Sequence, residues 1–330
     1  MRLRRERGPG VRENLRLASI DIGTNSIRLL AAECDGEKTK TLDRCMVITR
    51  LGEGVDETHR LTTAAIERTA AVLRDYRSAM DALEPAGVRA AATSALRDCQ
   101  NKDDFLDLAA SILGERPEIL SGAEEARVSF IGASSDIGRE VREKAGPVLV
   151  FDIGGGSTEI IVGDRQGITT HSVDVGCVRM SERFLAIDPP SPVAVGRMES
   201  YIVGQLKPVT DEILARGVSL AIGLAGTVTT LSTIRQGLKE YDTGRIHHSR
   251  LSRAEVEELF VRLASVDIVE RKRVMGIEPD RADVIVGGAA VLRVIMDLAG
   301  LDEILVSEKD ILDGLVIGLY SEMAGGAAVS

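Results

Sequence analysis

Tryptophan is absent, and aromatic residues make up only 3% of the chain. An aromatic stacking platform for single-stranded nucleic acid is therefore not expected. Basic residues are outnumbered, 41 Lys and Arg against 51 Asp and Glu, for a formal net charge of −10. That balance argues against nucleic acid as a partner, because such binding rests on neutralising phosphates with basic side chains. Cysteine is scarce: Cys34, Cys45, Cys99 and Cys177 are scattered, with no CxxC pair. Neither a zinc cluster nor a disulfide framework follows from that spacing, and idle or buried thiols in a reducing cytoplasm are expected. No apolar run reaches the ~18 residues of a membrane span, so no membrane association is expected. Arg2, Arg4, Arg5, Arg7, Arg12 and Arg16 crowd the start of the chain, yet no apolar segment follows that could act as a secretory signal. Residues 1–16 read as a flexible basic tail. His247-His248 reads as an exposed loop pair rather than a metal site.

What is present is ordinary in bulk and unusual in detail. With 330 residues, 44% hydrophobic and 28% charged, the chain has the length of two globular domains. One local unit occurs twice. Ala18–Glu33 reads ASIDIGTNSIRLLAAE and Val148–Gly163 reads VLVFDIGGGSTEIIVG; Asp21, Gly23 and Ser26 recur as Asp152, Gly154 and Ser157 at a constant offset of 131 residues. Each copy is a short apolar strand ending in Asp, a tight turn of small residues, and a second strand rich in aliphatic residues. A hairpin is predicted at both places. A Rossmann loop or P-loop would lead into a helix instead, and neither the GxGxxG spacing nor a GK[ST] sequence is present.

Helical spacing of apolar residues predicts helices over 62–83 and 103–113. Ser121 followed by Glu124 predicts a capped helix start, and Ser252 followed by Glu255 another, with an amphipathic helix over 251–263. Short strands are predicted at 88–93, 219–225 and 303–307, and helices at 226–234, 282–298 and 310–320. Two linked α/β domains result, each with a helix-covered sheet: 17–127 and 128–330.

The turns carry the chemistry. Gly154, Gly155 and Gly156 let backbone N–H groups approach an anion unobstructed by Cβ atoms, and Ser157 and Thr158 add hydroxyls. Thr24, Asn25 and Ser26 are neutral phosphate ligands in the first copy, where Arg28 can direct its guanidinium at phosphoryl oxygens. Gly226 and Thr227, between a strand and a helix, form a third anion-friendly feature. Asp152 and Glu159 are placed to hold a divalent cation beside a phosphate, with Asp21 at the equivalent place in the first hairpin; Mg²⁺ is the natural partner of sparse carboxylates plus phosphate oxygens. Glu125, read from the residues alone, is a carboxylate in the first turn of a helix.

The segments DIGTNSIR, SGAEEAR, FDIGGGSTEIIVG, DVGCVRMSERF and GLAGTVTT stand in the order found in the exopolyphosphatase/guanosine pentaphosphate phosphohydrolase family, which this chain resembles from about residue 18 to about 318. That family belongs with actin, sugar kinases and heat-shock chaperone ATPases, so the resemblance implies two actin-like (ribonuclease H-like) domains with a cleft between them, the last helix, near 310–320, crossing back to the first domain. It also implies roles. Glu125 matches the general base for the attacking water, Arg97 an arginine that reaches the phosphate, and Asp152 and Glu159 the metal-linked acids. The implied activity is release of orthophosphate from the end of inorganic polyphosphate, in the cytoplasm, by a homodimer. Hydrolysis of guanosine pentaphosphate, with the tetraphosphate as a further ligand, is a second reading; a non-enzymatic nucleotide sensor is a third, and a sugar or acid kinase a fourth. The sequence shows no HD-type C-terminal extension such as longer family members carry.

Overall fold

The computed structural model describes residues 14–35, 38–137, 146–164 and 167–324; Arg2, Arg4, Arg5, Arg7 and Arg12 of the basic cluster lie outside the described residues. Both copies of the repeat fold as antiparallel hairpins, and each hairpin heads a sheet. In the first, β1 (Leu15–Ile22), β2 (Ser26–Cys34) and β3 (Thr39–Ile48) form a meander, and β4 (Gly87–Ala92) and β5 (Glu118–Ile119) extend it in parallel on the other side of β1. In the second, β6 (Val148–Ile153), β7 (Thr158–Asp164) and β8 (Gly167–Val173) repeat the meander. Strand β9 (Leu220–Leu224) lies parallel beside β6, followed outward by β11 (Glu303–Val306) and the edge strand β10 (Arg250–Ser252). The orders β3-β2-β1-β4-β5 and β8-β7-β6-β9-β11-β10 correspond strand for strand over their first four members. Register corresponds too: Asp21 faces Arg28, and Asp152 faces Glu159.

Period-two alternation along each central strand decides what covers each face. On β6, Leu149, Phe151 and Ile153 enter a core shared with the helices 192–216, 253–264 and 285–298. Val148 and Val150 point the other way, onto Ala126 and Ala133 of helix Gly122–Ser134. On β1, Ala18, Ile20 and Ile22 pack against Leu73 and Phe105, whereas Leu17 meets Leu312, Val316 and Tyr320 of helix Ile311–Met323. The chain's last described helix therefore covers the first sheet. Helices begin where side-chain caps put them: Thr62 accepts from the Ala65 amide, and Ser121–Glu124 and Ser252–Glu255 both form reciprocal capping boxes.

Two helix starts differ from the sequence expectation by two or more residues. Leu251 and Ser252 belong to β10, because the edge of the sheet claims them, and the helix starts at Arg253. Residues 282–284 precede the helix Ile285–Leu298, since the buried Arg271 takes the Ala282 carbonyl out of any helical ladder. All four cysteines are free thiols, and Cys45 is only half-buried. No described helix is long and apolar enough to cross a membrane.

Helices 122–134 and 311–323 cross in contact, joining the two halves. A Cβ on Gly132 would overlap the Asp310 carbonyl oxygen, and one on Gly314 the Val128 carbonyl oxygen. Gly314→Ala should therefore lose stability by ~1–3 kcal/mol through overpacking, outweighing the ~1 kcal/mol that Ala gains in helix propensity. Urea unfolding checks this; a variant more stable than the parent would show that the crossing is loose.

Candidate active site

The two turns are built alike. The Gly23 amide donates to the Ser26 carbonyl and the Gly154 amide to the Ser157 carbonyl, each at 3.0 Å. In the second turn the carbonyls are pinned from behind by helix Cys177–Phe184. Gly154 O accepts from Cys177 N at 2.9 Å, Gly155 O from Val178 N at 2.9 Å and Arg179 N at 3.1 Å, and Gly156 O from Arg179 Nε at 2.7 Å. A trans peptide opposes its C=O and N–H. The amides of Gly155, Gly156 and Ser157 consequently turn away from that helix, toward the cleft these residues line. The first turn uses residues 49–52 in the same way: Gly52 N donates to Thr24 O at 2.8 Å, and Thr49 N and Arg50 N to Asn25 O at 3.0 and 2.8 Å. Gly155 has no room for a side chain, since a Cβ would stand 2.8 Å from that of Thr24. The two turns thus face each other across one cavity, lined also by Asp21, Ser26, Ser94, Glu125, Asp152, Gly226 and Arg281.

Acidic groups crowd this cavity. Burial pushes the Asp152 carboxyl up to about 6, with Asp310 and Asp21 adding to the rise against the opposing pull of Arg28. Glu159 is pushed up to about 7 by burial and by Asp152. Glu125 is raised well above the usual carboxylate range by burial and by Glu159, and Arg97 only partly offsets this. Asp21 is raised by burial too. The capping box phases the helix: Glu124 bonds Ser121 and faces solvent, which turns Glu125 inward.

Several side chains have partners that sequence could not show. Arg28 is held by Asp21 (Nε to Oδ2, 2.9 Å) and by Asp310, so its guanidinium is committed to carboxylates and is not a free phosphate ligand. Arg97 pairs with Glu125, donates to the Leu120 carbonyl at 3.0 Å and reaches Ser157 Oγ at 3.4 Å. Thr158 lies behind the turn, its hydroxyl on the Val175 carbonyl at 2.5 Å. Thr227 packs on Cys177 and against Gly288, away from the cavity; Gly226 remains on its wall. Ser129, a full turn beyond Glu125, donates to Asp152 at 3.2 Å, and Ser157 and Ser172 each donate to Glu159 Oε1 at 2.8 Å. Ser129 and Ser172, with Ser94 and Arg281, carry no sequence signal: the partners of Ser129 and Ser172 lie 23 and 13 residues away, and Ser94 and Arg281 reach the cavity only through the fold.

Asp21 Oδ1, Glu159 Oε2 and Asn25 Nδ2 are buried with no hydrogen-bond partner among the described residues. Two free carboxylate oxygens amid raised acids suit a hard divalent cation such as Mg²⁺. The carboxylates of Asp21, Asp152 and Glu159 do not all come within 4.8 Å of one another; among the described residues, the grouping that brings three potential ligand atoms that close is Asp136 with His247 and His248. Here the expected exposed pair is half right: His248 is exposed, whereas His247 is half-buried and bonds Asp136 at 2.6 Å. His247 Nδ1 accepts the Glu308 amide at 3.1 Å, so Nε2 carries the proton toward Asp136 and has no lone pair for a metal. Beyond Gly226 and Arg281 the cleft adjoins a cavity of about 550 Å³, bordered by Thr229, Tyr241 and Met46.

With two matching hairpins, facing turns and a buried acid at a helix start, this is a duplicated phosphate-handling α/β protein. Residues 30–322 match the Ppx/GppA phosphatase family, and the chain belongs to that family. It is 39% identical over 317 residues to exopolyphosphatase 2 of Mycobacterium tuberculosis, covering 92% of this chain and 98% of that one. Among solved structures, an exopolyphosphatase from Cytophaga hutchinsonii is similar at 27% identity, with a TM-score of 0.84 over 96% of this chain and 100% of the other. A Ppx/GppA family member from Aquifex aeolicus is 30% identical, with a TM-score of 0.78 over 95% of this chain and 99% of the other. The architecture is the actin-like one, and the chain is a phosphoanhydride hydrolase.

The raised acids make stability depend on pH. Between about 4.5 and about 7, the folded chain keeps a proton on Glu159 that the unfolded chain releases. Where the native state binds more protons, stability falls as pH rises. In metal-free buffer the Tm of the parent should therefore drop, relative to Glu159→Gln, as pH rises through this window. A Tm difference that does not change with pH would contradict the placement of Glu159.

Proposed function

We propose that this chain is an exopolyphosphatase that removes the terminal phosphoryl group of inorganic polyphosphate. The observation that carries the reading is the pair of turns whose amides converge on one cavity beside Glu125. The terminal phosphoryl group sits between the turns. The amides of Asn25, Ser26, Gly155, Gly156 and Ser157, with the unpartnered Asn25 Nδ2, surround its oxygens. Glu125 takes a proton from water as the water oxygen bonds to phosphorus in line with the bridging oxygen. The bridging bond breaks, giving orthophosphate and a chain one unit shorter. Arg97 holds Glu125 and Ser157 in one frame. Asp152, Glu159 and Asp21 would hold Mg²⁺, which supplies charge neutralisation to phosphate oxygens when bound.

Helix 122–134 carries Glu125 at one end and crosses helix 311–323 at the other, which supports a hinge between residues 17–127 and 128–330. Free thiols fit a cytoplasmic protein. A homodimer rests on the family resemblance alone. The adjoining cavity keeps guanosine pentaphosphate as the second reading, because a nucleoside needs room beyond the phosphate cleft.

Phosphate release from polyphosphates of several lengths, guanosine pentaphosphate and ATP, with and without Mg²⁺, separates the readings. Turnover of polyphosphate alone is expected; turnover of guanosine pentaphosphate alone would replace the first reading with the second. Glu125→Gln should lower kcat by ~10²–10⁴-fold, the usual scale of a lost general base. Glu124→Gln should leave kcat near the parent's, because that carboxylate is spent on the Ser121 cap. The reverse pattern would show that the wrong carboxylate has been assigned.

A further inference from the structure

The carbonyls of the glycine turn are not all held by the same kind of donor. Gly154 and Gly155 are pinned by backbone amides of the following helix, whereas Gly156 accepts from the side chain of Arg179. The Gly156–Ser157 peptide also presents the Ser157 amide to the cavity, so whatever fixes the Gly156 carbonyl aims that amide. Arg179 has two further partners, both on the other half of the molecule. It donates to Asp56, in the short helix Val55–Thr58, and to Asp98 at 2.5 Å, at the end of the short helix Ser94–Asp98. That second helix also carries Ser94 and Arg97. A planar guanidinium can serve three acceptors in three directions; an ammonium on a flexible stem cannot hold them in one plane.

We propose that Arg179 is a positioning residue that sets the Gly156–Ser157 peptide only while the two halves are closed on each other. Alignment of the turn and closure of the cleft are then one event, with Asp56 and Asp98 acting on the phosphate site through Arg179. This rests on reading the turn as the phosphate-binding element. Arg179 adds no free positive charge to attract a polyanion, since its charge is already matched by two carboxylates. Arg183 supplies a natural control. It pairs with the same Asp56 carboxylate and closes the same edge without touching the turn.

Four variants test this: Arg179→Lys, Asp98→Asn, their combination, and Arg183→Gln. Each is followed by kcat and KM on triphosphate, by calorimetric affinity for orthophosphate in the presence of Mg²⁺, and by Tm. Misplacing an aligned group by about 1 Å costs ~10²-fold, so Arg179→Lys should lose ~10–100-fold in kcat and also weaken orthophosphate binding. Asp98→Asn should lose less. The double variant should be no worse than Arg179→Lys, because the acid works through the guanidinium. Arg183→Gln should lose clearly less kcat than Arg179→Lys, because it shares Asp56 but leaves the Gly156 carbonyl held by Arg179. Three results would each overturn the proposal: additive losses in the double variant, an Arg183→Gln loss matching that of Arg179→Lys, or an Arg179→Lys change confined to Tm. Should the parent release no phosphate from triphosphate, the exopolyphosphatase reading fails, while the orthophosphate affinities still decide the role of Arg179.

Discussion

Buried negative charge in excess of its internal counter-charges governs this site. The two hairpins place different pairs at equivalent positions. In the first, Asp21 faces Arg28, and the charges cancel. In the second, Asp152 faces Glu159, and they add. Glu125 and Asp310 bring further carboxylates to the same region, so that five acids, Asp21, Asp152, Glu159, Glu125 and Asp310, stand against the cations Arg28, Arg97, Arg44 and Arg281. Burying like charges is costly unless protons or cations accompany them. The raised acids and the two free carboxylate oxygens are two expressions of that imbalance. A cation brought with a polyphosphate tail, itself rich in negative charge, would meet a site already short of positive charge. It also explains how an acidic protein can hold a polyanion: the turns present neutral dipoles rather than free arginines.

Everything behind the turns works to keep those dipoles aimed. The first turn of helix 177–184 spends its orphan amides on the glycine carbonyls and not on an anion. Gly176 allows the approach, since a Cβ there would overlap the Gly155 carbonyl. Below the cleft, Asp310 caps helix 311–323 and binds Arg28 and Arg44, tying the end of the chain to the first hairpin. The Gly132–Gly314 crossing brings the helix that carries Glu125 onto that same helix. The first hairpin, helix 311–323 and helix 122–134 therefore form one packed unit.

Local grammar in the sequence accounts for the hairpins, the capping boxes and the inward phase of Glu125. Each depends on residues within four positions of one another: Gly23 with Ser26, Ser121 with Glu124, Ser252 with Glu255. Illegible features depend on distant partners. Arg28 bonds its cross-strand neighbour Asp21, but the second carboxylate that completes its commitment, Asp310, is 282 residues away. Thr158 and Thr227 sit in phosphate-like motifs, yet the pleat and the helix face turn their hydroxyls elsewhere. His247 belongs to a loop by sequence and is drawn inward by Asp136, 111 residues distant. Arg179 lies in a motif legible as part of the family, but its three acceptors come from segments that only the fold assembles.

The central claim is that both turns grip one phosphoryl group together. A crystal structure with Mg²⁺ and a non-hydrolysable imido analogue of triphosphate tests it most directly. The terminal phosphate should lie within hydrogen-bonding distance of amides from residues 25–26 and from residues 155–157, with a water between it and Glu125. A terminal phosphate bound by one turn only, or seated in the cavity beside Thr229 and Tyr241, would contradict it.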